Sequence, residues 1–319
     1  LVQETYNLTA LNIIPSALST ILNFLAATLG QVVPKYRTLS QWAQTYRKIV
    51  DSKPISDKTK INRRNSLAHI LADLGECTIG SIRPHEISAF INKVYASRPQ
   101  TAKRVLIEIK DCFNEALIYG WLLRNPALGV KIPAVRVQRQ RLTIDQWWEI
   151  LGYSIEHMPP WVQRMLALAL ITGQRRGDLV KMRFSDVWDD HLHIEQAKTG
   201  TRIALPLALR MDAIDLTLQD VIEDCRNYTT GSEFLLRKHD GCQLGDASLS
   251  ARFEIAREGA LAPVEHPPSL HECRSLSERL YRKQGLNTMT LLGHKHQKMT
   301  DLYNDDRGLT RGEWKVLAL

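Results

Sequence analysis

The chain has 319 residues, 44% hydrophobic and 24% charged, with a formal net charge of +8. That is long enough for two domains with separate cores, and the composition is that of an ordinary soluble globular protein. The five cysteines (Cys77, Cys112, Cys225, Cys242 and Cys273) are odd in number and lack paired metal spacing, which excludes a disulfide framework and a zinc site and leaves reduced thiols of a cytoplasmic protein.

The charge is unevenly spread. Residues 35–141 hold 20 Lys/Arg against 8 Asp/Glu, whereas the remainder holds 22 against 26. The middle of the chain is therefore where a polyanion would be held, although taken alone the run reads as a solvated basic helix face.

Residues 5–34 carry no charge, and 11–30 are strongly apolar. A signal peptide is excluded: there is no basic leading region, Glu4 is acidic, and Pro15 and several polar residues interrupt the run. No other segment could span a bilayer. Leu18, Ile21, Leu22, Leu25 and Leu29 instead fit a helical face seeking a partner. Leu1 is not an initiator methionine, so a fragment or a processed form is expected.

Helical spacing recurs downstream. It places Leu39, Trp42, Tyr46 and Ile49 on one face of 39–50, and Leu67, Ile70, Leu71 and Leu74 on one face of 59–74. Pro84 opens a third helix to about Tyr95, and 101–119 forms a fourth with Val105, Leu106, Ile109, Phe113 and Leu117 inside and Gly120 as its stop. Residues 131–141, "KIPAVRVQRQR", contain four basic residues and no acid, and read as an extended linker. Thr143 with Gln146 is an N-cap signature for the next helix. Residues 161–172 are an apolar helix, and another starts over 175–182. "HLHIEQA", a turn at Lys198-Thr199-Gly200 and "TRIALPL" predict a β-hairpin, and the rest is expected to be helical to Tyr303.

The chemistry-bearing residues are Arg175 in "TGQRRGD", His271 and Arg274 in "HECR", His294 in "LLGH", and Tyr303 nine positions further on. Arginine offers permanently charged planar forks to a phosphate. Histidine moves protons near neutral pH, and tyrosine can hold a DNA end covalently. A phenol titrates near pH 10, so it needs an adjacent base or cations to attack at neutral pH. His271 and Arg274 share a helix face, and Tyr303 lies in polar "DLYNDDRG", which suits an exposed, movable segment. Each residue type is common, and an isolated histidine is more often structural, as His266 and His296 are expected to be. His69, His85, His157, His191, His193 and His239 fit no motif.

These motifs and the runs around them resemble the tyrosine recombinases, and most closely the integrases of lambda-like phages. The runs are "ITGQRRGDLVKMRFSDV" (171–187), "HIEQAKTG" (193–200), "HECRSLSERLYRKQG" (271–285) and "LLGHKHQKMTDLYNDDRG" (291–308). They cover most of 142–319; residues 35–135 resemble the family's core-binding domain more loosely, and 1–34 match weakly.

The resemblance implies a mainly α fold with a small β-hairpin in the catalytic domain, arranged as a two-domain C-shaped clamp on DNA. The layout would be 1–34 as a helical remnant of an arm-binding region, 35–130 as the helical core-binding domain, 131–141 as the basic linker and 142–319 as the mixed α/β catalytic domain with its tail. It implies Tyr303 as the nucleophile and Arg175 and Arg274 as the phosphate clamp. His271 would accept the tyrosine proton, and His294 would serve as a further donor or proton partner. Lys198, otherwise a solvated hairpin tip, would protonate the leaving oxygen. Asp178 reads equally as the orienter of an active-site arginine and as a first-turn acid. Arg176 is expected at the surface or on the DNA backbone. Arg63, Arg64, Lys103, Arg104, Lys131, Arg136, Arg139 and Arg141 are the candidate DNA contacts.

The implied reaction is site-specific recombination through a 3′-phosphotyrosyl link, for phage integration and excision. It needs no cofactor, metal or ATP. The implied partners are double-stranded attachment sites, a homotetramer with a Holliday-junction intermediate, and host and phage DNA-bending proteins, with no membrane, in the nucleoid-bearing cytoplasm of a bacterium. The alternatives are a type IB topoisomerase-like relaxing enzyme and an inert architectural DNA-binding protein.

Overall fold

The computed structural model describes residues 37–131, 134–135, 139–228 and 231–304. The apolar N-terminal run, Arg136 and the tail with Trp314 lie outside them. The chain divides between Arg136 and Val137 into two compact units.

Among the described residues, the first unit is built on four α-helices: α1 (Leu39–Ser52), α2 (Asp57–Leu74), α3 (Pro84–Ser97) and α4 (Pro99–Ile118). Thr38 caps α1 through a reciprocal box with Gln41, and Ser56 caps α2. Proline opens both α3 and α4, where a missing N–H costs nothing. Trp42, Tyr46, Ile70, Ile87, Leu106 and Phe113 fill the core. Two departures from the periodicity appear. Leu117 is exposed, because the neighbouring Ala116 takes the core position in the last turn of α4, which Gly120 follows at φ 71°. Arg63 does not face solvent: its Nε donates to Glu108 at 3.1 Å, and its Nη2 bonds Tyr46 Oη and Asp111.

The second unit contains α5 (Ile144–His157), α6 (Trp161–Thr172) and the single turn α7 (Arg176–Leu179). A three-stranded antiparallel sheet follows, in the order β1 (Val187–Trp188), β2 (His191–Glu195) and β3 (Arg202–Pro206). Its β2–β3 register pairs His191 with Pro206 and Glu195 with Arg202, so the hairpin turn carries Lys198. A ribbon of β4 (Arg210–Met211) and β5 (Leu216–Thr217) leads into α8 (Leu218–Tyr228), then α9 (Asp246–Ala260), α10 (Glu272–Lys283), α11 (Thr288–Leu292) and α12 (Gln297–Asp301). The ribbon corrects the expectation of helix throughout. Its strands are two residues long, too short to show alternation, and Asp215 turns between them at φ 55°. The apolar α6 lies at the centre, packed by α5, α8, α9 and α10. Thr143 and Gln146 form the capping box that starts α5.

Candidate active site

Two helix ends prepare the site. Helix α6 stops because Gly173 turns left-handed at φ 62°, and α11 stops at Gly293 with φ 61°. Carbonyls at helix C-termini have no partner within the helix. One side chain of α10 satisfies a carbonyl at each: Arg274 donates from Nη1 to Gly173 O and from Nη2 to Leu292 O, both at 2.6 Å. The turns are also crowded. A Cβ on Gly173 would lie 2.9 Å from Ser277 Oγ, and one on Gly293 would lie 2.9 Å from Gln196 Nε2.

Arg274 is 1% exposed, and its Nε has no hydrogen-bond acceptor among the described residues. Burial and the nearby Arg175 pull its pKa down to about 10, which leaves it charged at neutral pH. Its Nη2 lies 3.2 Å from Nε2 of the buried His294. Because a guanidinium only donates, Nε2 accepts and the ring proton belongs on Nδ1, 2.9 Å from Thr300 Oγ1.

Tyr303 follows α12 and is half-buried, packed against the core of this unit. The expected exposure holds for the flanking residues Asp301, Leu302 and Asn304, but the Tyr303 ring itself stacks on His294 with centroids 5.6 Å apart at 25°. The Arg274 and Arg141 guanidinium carbons lie 5.8 and 6.0 Å from the ring centroid. Tyr303 Oη is 3.3 Å from His271 Nε2. Two main-chain contacts hold the segment: Ser275 Oγ donates to Tyr303 O at 2.9 Å, and Arg141 Nη2 donates to Leu302 O at 2.5 Å.

Enclosure by neighbouring groups, together with the cations Arg139, Arg274 and Arg175, holds the His271 imidazole down to about 4. His271 is nevertheless exposed to solvent, so the cations are the firmer cause. Burial, then Arg274 and Arg175, brings His294 to about 4 as well. Both rings are neutral at physiological pH, and a neutral Nε2 facing a phenol can accept its proton.

Arg175 sits at the N-cap of α7, half-buried, and its Nη1 donates to Gln196 Oε1 at 2.9 Å. The neighbouring Arg176 is exposed and lies 3.5 Å from Asp246. Lys198 is exposed at the hairpin tip. Asp178 stands in the first turn of α7, and its Oδ1 accepts the Ala197 N–H at 2.8 Å in place of an arginine. Among the described residues, no group of His, Cys, Asp or Glu is arranged to hold a metal ion.

The candidate DNA contacts fare differently. Lys103, Arg104 and Lys131 are exposed, and Arg64 is exposed beside Asp51 at 2.7 Å. Arg136 lies outside the described residues. Arg63 is committed to the first unit's interior, as above. Arg141 is corrected most: it is 3% exposed, pairing with Glu272 Oε2 at 2.8 Å, while Arg139 reaches Glu272 Oε1 at 2.9 Å. A buried acid on α10 draws the basic segment inward. Sequence reasoning passed over Glu272, Gln174 and Gln196, all buried. The available signal was position: each lies within two residues of a motif cation or histidine.

The model of the phage integrase family matches residues 140–308, and that of the phage integrase central domain matches 39–132. The chain is 38% identical over 300 residues to prophage integrase IntE of Escherichia coli (strain K12), which covers 88% of this chain and 78% of that protein. It is 35% identical over 286 residues to the integrase of Escherichia phage lambda, covering 88% and 79%. Among solved structures it is similar to a lambda integrase dimer bound to a COC′ core site, with a TM-score of 0.84 at 33% identity over 93% of this chain and 84% of that one. It is also similar to a lambda integrase tetramer bound to a Holliday junction, with a TM-score of 0.83 at 31% identity over 99% and 92%.

Proposed function

The chain belongs to the phage integrase family, and from that premise we infer how its site cuts and rejoins DNA. It is a site-specific tyrosine recombinase, and the observation that carries the assignment of roles is the Tyr303 phenol 3.3 Å from a neutral His271, beside the buried Arg274. Tyr303 Oη attacks a backbone phosphorus as His271 Nε2 takes its proton. The bond from phosphorus to the 5′ oxygen breaks, and Lys198 supplies the proton that makes the departing oxygen a hydroxyl. Arg175 and Arg274 bind the non-bridging oxygens and stabilise the added charge of the five-coordinate transition state, with His294 as a further contact. A 5′-hydroxyl from a second duplex then attacks the 3′-phosphotyrosyl link and releases Tyr303. One phosphoester is exchanged for another, so the reaction needs no ATP.

The tetramer of lambda integrase on a Holliday junction and the dimer on a core site support the same assembly for this chain. Four copies would act on two duplex attachment sites, with host and phage DNA-bending proteins assisting. Residues 35–130 would grip the duplex, 131–141 would link, and 142–319 would cut. Lys103, Arg104, Lys131 and Arg136 are the proposed phosphate contacts, which position the protein without reading sequence. No helix among the described residues is long and apolar enough to cross a membrane, and the proposed place of action is the DNA of a bacterial cytoplasm.

The test is covalent capture in EDTA. Nicked duplexes that include the chain's flanking genomic DNA release a short end on cleavage and trap the intermediate. A denaturing gel should show a protein–DNA adduct with wild type and none with Tyr303→Phe. If both proteins bind DNA and neither forms an adduct, the mechanism is wrong.

A further inference from the structure

Gln196 follows the last residue of β2 and is 0% exposed. Its side-chain oxygen accepts from Arg175 Nη1 and from Thr199 Oγ1, each at 2.9 Å. Its Nε2 donates to Gln174 Oε1 at 2.8 Å and to Leu292 O at 3.0 Å. Gln174 in turn donates from Nε2 to Thr172 O and Leu291 O, both at 2.9 Å. The Gln196 main chain closes the hairpin turn: its carbonyl accepts from Gly200 N at 2.8 Å and Thr199 N at 3.2 Å, and its N–H donates to Thr201 O at 2.9 Å.

One buried residue therefore bonds Arg175, the turn that bears Lys198, and the Leu292 carbonyl that Arg274 also holds. Gly293, the residue before His294, packs so closely on it that a Cβ there would collide with its amide. The choice of an amide matters. A carboxylate at this point would orient the Arg175 fork but also neutralise it, whereas an amide oxygen orients it and leaves its charge for a phosphate. An aliphatic side chain would leave the Gln174 oxygen without its partner in a dry interior.

We propose that Gln196 is the positioning residue of the phosphate clamp, setting Arg175 in register with Arg274 and tying both to the turn that carries Lys198. The proposal rests on the clamp role given to Arg175 above. Gln196 touches no reacting atom itself; it acts through the arginine.

The experiment uses single-turnover cleavage by the full chain on two suicide duplexes, one with a normal scissile phosphate and one with a methylphosphonate there. A methylphosphonate lacks the charge that an arginine must neutralise, so a defect in arginine placement should shrink on it. Gln196→Met, of similar length but without hydrogen bonds, should cleave the phosphodiester about 10²-fold more slowly, the scale of losing one transition-state donor. DNA affinity should stay near that of wild type, and the ratio of variant to wild-type rate should recover at least about tenfold on the methylphosphonate, a partial suppression of the same donor loss. Gln196→Glu retains an acceptor for Arg175 but quenches its charge; it should show the same pattern, and it serves if the methionine variant does not fold. A wild-type rate on the phosphodiester, a loss confined to DNA binding, or an equal loss on both substrates overturns the proposal. A wild type that forms no adduct at all overturns the underlying mechanism instead.

Discussion

Arg141 and Glu272 form an ion pair whose side chains are 3% and 0% exposed, with Nη1 and Oε2 2.8 Å apart. Glu272 stands next to His271 at the start of α10, and the other Nη of Arg141 reaches the carbonyl of Leu302, next to Tyr303. The pair thus ties the proposed base and the proposed nucleophile to the segment that enters this unit. Removing one partner of a buried pair strands the other charge, at a cost of about 3–5 kcal/mol. Glu272→Gln should therefore lower the denaturant midpoint markedly and slow adduct formation in the fraction that stays folded. An unchanged midpoint would show that the pair contributes nothing.

Acid should weaken the second unit in a defined window. His271 and His294 sit at about 4, against 6.5 for an unperturbed imidazole. Between those values the unfolded chain binds more protons than the native one, so stability rises with pH across the window and is lost as pH falls from 6.5 towards 4. Melting temperatures from pH 7.5 to 4 should fall mainly over that interval, and His294→Gln should flatten the fall. Imidazole resonances of the free protein that titrate near 6.5 would contradict the assignment.

The proton-transfer role has its own pH signature. With His271 neutral well below 6.5, DNA cleavage should be nearly flat from pH 8 to 6. His271→Ala should lower the rate by about 10²–10⁴-fold, the usual range for a positioned base, with DNA binding retained. A wild-type rate that halves between pH 7 and 6 would point to a base with an ordinary value.

Gly293→Ala tests the turn before His294. A left-handed non-glycine residue costs about 1–3 kcal/mol, and the added methyl would press on Gln196. The variant should melt earlier and cleave more slowly than Gly120→Ala, which is also left-handed at φ 71° but meets nothing within 4 Å. Equal behaviour of the two would leave only backbone strain.

In the first unit, Tyr46 Oη bonds Glu108 and Asp111, each at 2.7 Å, and receives Arg63. Burial, then the Glu108 carboxylate, pushes this phenol far above its ordinary pKa. Tyr46→Phe should cost about 1–3 kcal/mol by leaving a buried carboxylate short of a donor. Arg63→Gln should likewise lower stability while leaving the salt dependence of DNA binding unchanged. Lys103→Gln or Arg104→Gln should reduce the slope of log affinity against log salt by about 1. Titrations at several salt concentrations separate the two kinds of arginine.

The helical periodicity of residues 39–118, the Thr143 cap and the hairpin around Lys198 were legible because each is local: an apolar face, a side chain three residues from its amide, a turn glycine. Tyr303 and its cations were legible from motif spacing. Burial of the cations was not. Arg63 and Arg141 look like any basic residue in a basic stretch, and what turns them inward is an acid 45 or 131 residues away. Gln196 is hidden for the same reason, since its partners are 21, 22 and 96 residues distant. The β4–β5 ribbon was missed because two-residue strands carry no alternation.

The sequence distances also bear on when the site comes together. Arg274 meets Gly173 across 101 residues, and Tyr303 meets His271 across 32. Contacts of long span form late, after loop-closure entropy has been met. A nascent chain that has not yet reached α10 lacks Arg274 and therefore the contact with Gly173. The proposed arrangement of Arg274, His271 and Tyr303 is thus a property of the assembled second unit and of no short stretch within it.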